Sequence, residues 1–327
     1  MERSIAGPYA YGNTPPAHLC GWAGAEPGTA PAGLAAVGMR AVMQARDFLG
    51  LVYGAWSPPA EVIGPPAAEP RPFVWEYAKQ LNGGKHLPTL RQLDGDCVAQ
   101  GMRHGLIYRS AWEIARNREE EVFRLPFGPW IYGISRVDIG GGKLGREAGS
   151  LGSWAAEAVK RFGVLYEDDP DVPAYSLGVS EAWGRQLPAR HYAEALPNLV
   201  ESAAPLDTTD QVRDALTAED PCIVTIASMQ GWAMQPVEYK GRHCFSPEGS
   251  FAHQTVFLDW MDDPFPAAYR LNSWGPDAHG TPLNDEPPGG AWWRDDHLTR
   301  ELKGGQCEAY AVRLIRGHPG PPNHGLV

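Results

Sequence analysis

The spacing of apolar residues divides the chain into a helical stretch followed by a strand-rich one. Residues 97–117, "CVAQGMRHGLIYRSAWEIARN", suit a helix, with Asp96 as a candidate N-cap. Cys97, Gly101 and Gly105 lie at i, i+4 and i+8, a small-residue face that another element could approach closely. In "LGSWAAEAVKRFG", Leu151, Trp154, Ala155, Ala158, Val159 and Phe162 follow the 3.6-residue period, and Gly163 supplies a stop. "TTDQVRDALTAED" predicts a short capped helix. Beyond it, "PCIVTIAS", "HQTVFLDW", "AYRLNSWG", "AWWRDDHL" and "AYAVRLI" read as strands, separated by clusters of Pro, Gly and Asp. Helices first and strands second predict an α+β protein in two lobes.

The beginning of the chain has another character. One amphipathic segment, "AGLAAVGMRAVMQARDFLGLVYGAW", is flanked by the Pro/Ala/Gly-rich stretches "NTPPAHLCGWAGAEPGTAPAG" and "WSPPAEVIGPPAAEPRP", whose composition suits extended linkers. A boundary is predicted near Gly83-Gly84. Residues 1–85 then form an extension, read as an arm that wraps the main domain or acts like a propeptide in preference to a disordered arm. Residues 86–317 form the domain itself, with a helical lobe over 86–205 and a β lobe over 206–317, and residues 318–327 a loosely ordered tail.

Composition narrows the partners. A net charge of −11 is opposite in sign to the surface that gathers phosphate backbones, so nucleic acid and anionic membranes are not expected partners. Arg40, Arg46 and Asp47 interrupt the most apolar segment within the ~20 residues that a membrane span needs. No apolar core follows a basic start at the N-terminus, so no secretory signal is read there. Five cysteines at wide, irregular spacing, without a CxxC pair, favour a reducing compartment, with the cytoplasm as the expected location, although one or two bridges would fit. The 31 prolines and 38 glycines imply many turns and irregular connections.

Candidate chemistry centres on Cys97 in "GDCV". A thiol nucleophile needs a lowered pKa, a base and donors for an oxyanion. The first turn of a helix supplies the first of these, because its unsatisfied N–H groups favour thiolate. His104 lies on the same helix but about 10 Å along it, out of reach. His253, at the mouth of a hydrophobic strand, is the better base. A lone histidine in such a place is more often structural. The following strand, however, carries Asn272 with Trp274 beside it, an amide able to fix the tautomer of His253 and an indole able to shelter that bond.

The order Cys, His and then "NSWG" resembles the papain-like cysteine peptidases over about residues 86–317. "GDCV" matches the family's nucleophile-helix start, "GSLGSWAAEAVKRFGV" its second helix, "DPCIVTIAS" the strand opening its β lobe, "AHQTVFLDW" its His strand, "LNSWG" its Asn strand and "GGAWW" its last β segment. The resemblance implies a papain-like fold with a helical left lobe and a β-rich, barrel-like right lobe. It implies hydrolysis of peptide or protein substrates, with no metal and no cofactor. It makes Cys97 the nucleophile, His253 the general base and Asn272 its orienting residue. Gln92 becomes the side-chain oxyanion donor beside the Cys97 backbone N–H. Trp274 shields the His–Asn bond, Gly149 and Ser150 pair with substrate backbone, and Leu151 and Trp154 lie near the pocket for the second residue on the acyl side of the cut.

The chain departs from that pattern in several places. Gln92 precedes the cysteine by five residues where the family's glutamine stands six before, which leaves Gln100 as an alternative donor. Val98 replaces an aromatic residue, and Gln254 stands where a small residue is common and would narrow the cleft. The family's upstream cysteine is missing, and residues 1–85 lack its inhibitory propeptide signature. These differences imply a divergent bacterial or phage-like branch. "GDCVAQG" also matches the start of cell-wall endopeptidases of the NlpC/P60 type, and a Gln before Cys followed by His and Asp-Pro matches the leader peptidases of peptide exporters; neither accounts for "LNSWG". A third reading is a non-catalytic structural or binding protein on the same scaffold, held in a larger assembly such as a virion through the N-terminal extension.

The smaller signals have plainer readings. "GGGKLG" lacks the spacing of a phosphate loop and reads as a surface loop. His243 and Cys244 fit no common zinc pattern, Cys222 reads as core, and "YEDDPD" as a solvated turn that near a cleft would favour basic substrate residues.

Overall fold

A computed structural model of the chain describes residues 71–117 and 123–315. The amphipathic segment at 32–56, most of the extension and the tail lie outside these residues. Helix α1 (Val74–Leu81) is followed by α2 (Cys97–Asn117), α3 (Gly128–Ile134) running into a π-helical turn (Ser135–Ile139), α4 (Gly152–Phe162), α5 (Leu177–Trp183) and α6 (His191–Ala195). Then come β1 (Val200–Leu206), α7 (Thr209–Thr217), β2 (Ile223–Trp232), β3 (Val237–Tyr239), β4 (Arg242–Cys244), β5 (Pro247–Met261), β6 (Ala267–Leu271), β7 (Gly290–Arg294), α8 (Asp295–Lys303) and β8 (Cys307–Ile315). The α+β class and the order of its halves are as the sequence predicts.

Helix α2 is the axis of the molecule. Its residues from Cys97 to Ile114 are buried, including Gln100, Arg103, His104, Arg109 and Glu113. Each of these polar groups has an internal partner, as buried polar groups must. Arg109 pairs with Glu113 at 2.7 Å and Asp220 at 2.6 Å, and His104 Nε2 accepts the Leu90 N–H at 2.9 Å. Burial holds the His104 pKa down to about 3, so that ring is a neutral acceptor. The small-residue face lies on the sheet. A Cβ on Gly105 would stand 2.1 Å from Ile223 Cδ1, and one on Gly101 3.1 Å from Gln254 Cγ and 3.3 Å from the Thr255 carbonyl. These two glycines let α2 sit directly on β2 and β5.

The strands form one eight-stranded sheet in the order β1-β8-β2-β5-β6-β7-β4-β3. All neighbours are antiparallel except β4 and β7, which are parallel. From Phe251 to Met261, β5 is buried except at half-buried Ala252, because α2 covers one side while α7 also packs against the strand. That double cover is why "HQTVFLDW" reads as a nearly continuous apolar run. Three elements depart from the sequence reading. "AYRLNSWG" is a strand only as far as Leu271, so Asn272 lies beyond it. "AWWRDDHL" ends as a strand at Arg294, and Asp295 and Asp296 begin α8, where acidic groups suit the positive end of the helix dipole. Strand β1, "VESAAPL", has no alternating apolar signal; it lies at the sheet edge, the place where Pro205 is tolerated.

Residues 71–85, on the N-terminal side of the predicted boundary, include part of the core. Val74, Trp75 and Ala78 of α1 are buried, and the Trp75 ring lies 5.1 Å from Tyr269 and 6.0 Å from Trp292. Asp259 of β5 holds the start of α1 by accepting the Val74 N–H at 2.7 Å and pairing with Arg71 at 3.1 Å. Trp75→Ala is expected to cost roughly 3–5 kcal/mol, the usual range for removing a fully buried indole. Chemical denaturation checks it, and a loss below about 1 kcal/mol would show that α1 is not part of the cooperative core. Any truncation that tests the extension must therefore stop before Arg71.

Candidate active site

Three segments converge at the N-terminal end of α2. The first is the loop before the helix: Gln92 N–H donates to the Ser273 carbonyl at 2.7 Å, and Arg91 forms a bridge with Trp274. The second is β5, where the backbone N–H of Gln254 reaches Cys97 Sγ at 3.4 Å. The third is the turn after β6: Leu271 pairs with Val256, and the next residue, Asn272, accepts at Oδ1 from His253 Nε2 at 2.7 Å. Residues 92, 97, 253 and 272, spread over 181 positions of sequence, thus share one junction. Cys97, His253 and Asn272 are each 0% exposed.

The hydrogen-bond chain fixes the imidazole. Asn272 Oδ1 can only accept, so His253 Nε2 donates to it, and Nδ1 is the nitrogen on the other side of the ring. Trp274, 0% exposed with its ring 4.6 Å from that of His253, excludes water from the His–Asn bond. Trp232 at 5.8 Å and Phe251 at 6.2 Å complete an aromatic wall. Behind it Arg270 lies 4.4 Å over Trp232 and makes two 3.2 Å contacts with Glu301, so a buried, paired charge backs the site.

The glutamine alternatives separate in space. Gln92 Oε1 accepts from Ser273 Oγ, and its Nε2 donates to the Asp94 carbonyl at 2.9 Å. Gln100 instead turns into the helical lobe, donating to Asp96 Oδ2 at 2.9 Å. Gln254 lies flat against α2, its Nε2 donating to the Val98 carbonyl at 3.0 Å. Of the two residues singled out for pairing with a substrate backbone, Gly149 has both its groups used inside the lobe. Its N–H donates to Tyr132 Oη at 3.0 Å and its carbonyl accepts from Arg136. Ser150 meets Ser135 through its hydroxyl at 2.8 Å. Leu151 and Trp154 are buried at the start of α4, and the Trp154 ring stands where a Cβ on Gly140 would clash, at 2.5 Å.

Asp96 does not act through its side chain as a helix cap. Its carbonyl accepts from Ala99 and Gln100 N–H, while Oδ2 collects Gln100 Nε2, Tyr175 Oη at 3.0 Å and Ser180 Oγ at 3.1 Å. Burial pushes its pKa up to about 6. Between the ordinary value of 3.8 and about 6 the folded state therefore binds the proton more strongly than the unfolded chain. Stability from this group is complete below pH 4 and is lost as the pH rises through 6, by ~3 kcal/mol. Asp96→Asn is expected to flatten that part of the pH–stability curve. An unchanged slope in denaturant melts between pH 4 and 7 would reject the assignment.

Three members of the site carry no sequence signal that would single them out: Trp232, Phe251 and His279, whose Nε2 meets Asn272 Nδ2 at 2.9 Å. Among the described residues no cluster of His, Cys, Asp and Glu could hold a metal ion, and no helix is long and apolar enough to cross a membrane. The other described thiols are held protonated by burial. Cys222 is pushed up to about 11, Cys244 to about 12, and Cys307 higher still.

No protein-family model matches the chain, and no curated protein matches it in sequence. Solved structures do. The chain is similar to xylellain, a cysteine protease from Xylella fastidiosa, over 93% of its own length and 99% of that chain, at 14% identity and a TM-score of 0.56. It is also similar to the proform of the Amb a 11 cysteine protease, a major ragweed pollen allergen, over 85% of its own length and 70% of that chain, at 12% identity and a TM-score of 0.51. The fold is papain-like.

Proposed function

We propose that the protein hydrolyses peptide bonds through a Cys97–His253–Asn272 triad. The observation that carries this reading is the 2.7 Å bond from His253 Nε2 to Asn272 Oδ1 together with the 3.4 Å contact from the next backbone N–H to the Cys97 sulfur. An orienting amide, an imidazole and a thiol at a helix N-terminus supply the base, the tautomer and the dipole that a sulfur nucleophile needs.

His253 Nδ1 takes the thiol proton, and the thiolate attacks the carbonyl carbon of the substrate. The oxyanion that forms is held by the Cys97 backbone N–H and the side-chain amide of Gln92. Collapse breaks the C–N bond, and the amine leaves with the proton from Nδ1. Water, deprotonated by the same nitrogen, then hydrolyses the thioester and restores the thiol.

The enclosure of Cys97 and His253 favours a second reading, a scaffold that no longer turns over substrate. Alkylation separates the two. With iodoacetamide at pH 6, Cys97 in the full chain is expected to react at least about a hundred times faster than Cys222, Cys244 and Cys307, as read by peptide mass mapping. Equal labelling of all four would leave only the scaffold.

A further inference from the structure

We propose that His279 is a positioning residue for the thiol chemistry: anchored on the Met234 carbonyl, its ring accepts from Asn272 Nδ2 and so turns the Asn272 carbonyl oxygen toward His253. The inference rests on the peptidase reading of the same site and adds to it a residue outside the triad.

A carboxamide has an accepting end and a donating end of nearly the same shape, and which end faces His253 decides what that ring can do. With Oδ1 toward it, Nε2 is protonated and Nδ1 is a base. With the amide reversed, Nδ2 would demand the lone pair of Nε2, the proton would move to Nδ1, and that nitrogen could no longer take a proton from sulfur. His279 contributes a definite direction. Its Nδ1 lies 2.8 Å from the Met234 carbonyl, which only accepts, so the ring's proton sits on Nδ1 and Nε2 is an acceptor. That acceptor meets Asn272 Nδ2 at 2.9 Å. Donation therefore runs from His253 Nε2 to Asn272 Oδ1, from Asn272 Nδ2 to His279 Nε2, and from His279 Nδ1 to Met234. The Ser273 N–H, 2.7 Å from Oδ1, supports the same orientation.

The ring is sealed in its place. His279 is 2% exposed, edge-on to Phe245 at 4.7 Å and 5.9 Å from Trp274. Burial holds its pKa down to about 4, so the acceptor persists across the neutral range. A side chain that only filled this space would not need two ring nitrogens with opposite roles.

The test is the pH profile of Cys97 alkylation by iodoacetamide in the full chain, between pH 4 and 9.5, for the wild type, His279→Phe and His279→Gln. His279→Phe is expected to react at least tenfold more slowly at pH 6 and to converge on the wild type near pH 9.5. His279→Gln, whose amide can donate to Met234 and accept from Asn272, is expected to stay within about threefold throughout. A His279→Phe profile that superimposes on the wild type overturns the proposal. If His279→Phe does not fold, imidazole ¹⁵N spectra of the wild type decide: a proton on Nδ1 of His279 and none on Nε2 supports the chain of bonds, and the opposite tautomer overturns it. A wild type without selective Cys97 reactivity in acid removes the peptidase reading instead, and the tautomer of His279 then decides the positioning by itself.

Discussion

Cys97→Ala is expected to abolish peptide hydrolysis, lowering kcat by at least about 10⁴, while leaving the protein folded. The covalent route needs the sulfur, and no other group at the junction can replace it: the remaining polar side chains there are imidazoles, amides and a hydroxyl already committed to Gln92. What is left after such a change is the modest catalysis supplied by binding and oxyanion donors. The structural cost is small by comparison. Cys97 is fully buried in the main core, so removing its sulfur leaves a cavity worth roughly 1 kcal/mol. Turnover of a quenched fluorogenic peptide library, measured beside a thermal melt, separates the two effects. Residual kcat within tenfold of the wild type in a folded variant would take Cys97 out of the mechanism.

The second large effect concerns the proton that Cys97 and His253 are proposed to share. His253→Ala is expected to slow alkylation of Cys97 at pH 6 by about a hundredfold or more and to leave the rate near pH 9.5 almost unchanged. Without its base the thiol returns toward the ordinary value of about 8.5, and at pH 6 fewer than roughly one molecule in a hundred is then thiolate. At high pH both proteins are ionised and the difference disappears. Mass mapping of labelled Cys97 against pH gives the profile directly. A parallel drop at every pH would indicate lost access or disturbed packing, since the ring also lies 4.6 Å from Trp274. An unchanged profile would mean that sulfur and imidazole do not share a proton. Cys222, Cys244 and Cys307 serve as internal references, because burial keeps them protonated across the acidic range.

His279 and Asp96 place the two predictions in context. One ring fixes the direction of the amide that orients the base, and one buried carboxyl lies immediately before the nucleophile in sequence. The pKa of that carboxyl is about 6, inside the pH range over which the alkylation profiles will be measured. The Asp96→Asn melts therefore provide the control that assigns any shift near pH 6 to the His253 base or to the folded state itself.

By itself the sequence determined the α+β class, the start of α2, the extent of α4 and the order of the segments that carry His253 and Asn272. Those features are local: a 3.6-residue or continuous apolar period, and a glycine whose positive φ ends a helix, as at Gly163 with φ 77°. The order of Cys97, His253 and "NSWG" was legible for the same reason, since it is a property of the chain and needs no third dimension. Tertiary structure decided the rest. It set Gln92 beside Ser273 and turned Gln100 toward Asp96, because the loop before α2 pairs with Ser273 while Asp96 draws Gln100 the other way. It used up the backbone of Gly149, moved "DDHL" from strand to helix, drew α1 into the core and brought His279 to Asn272. None of these follows from spacing along the chain, because each depends on which of several polar partners a buried group meets once the sheet has closed over α2, and an unpaired group there would cost more than any local preference could return.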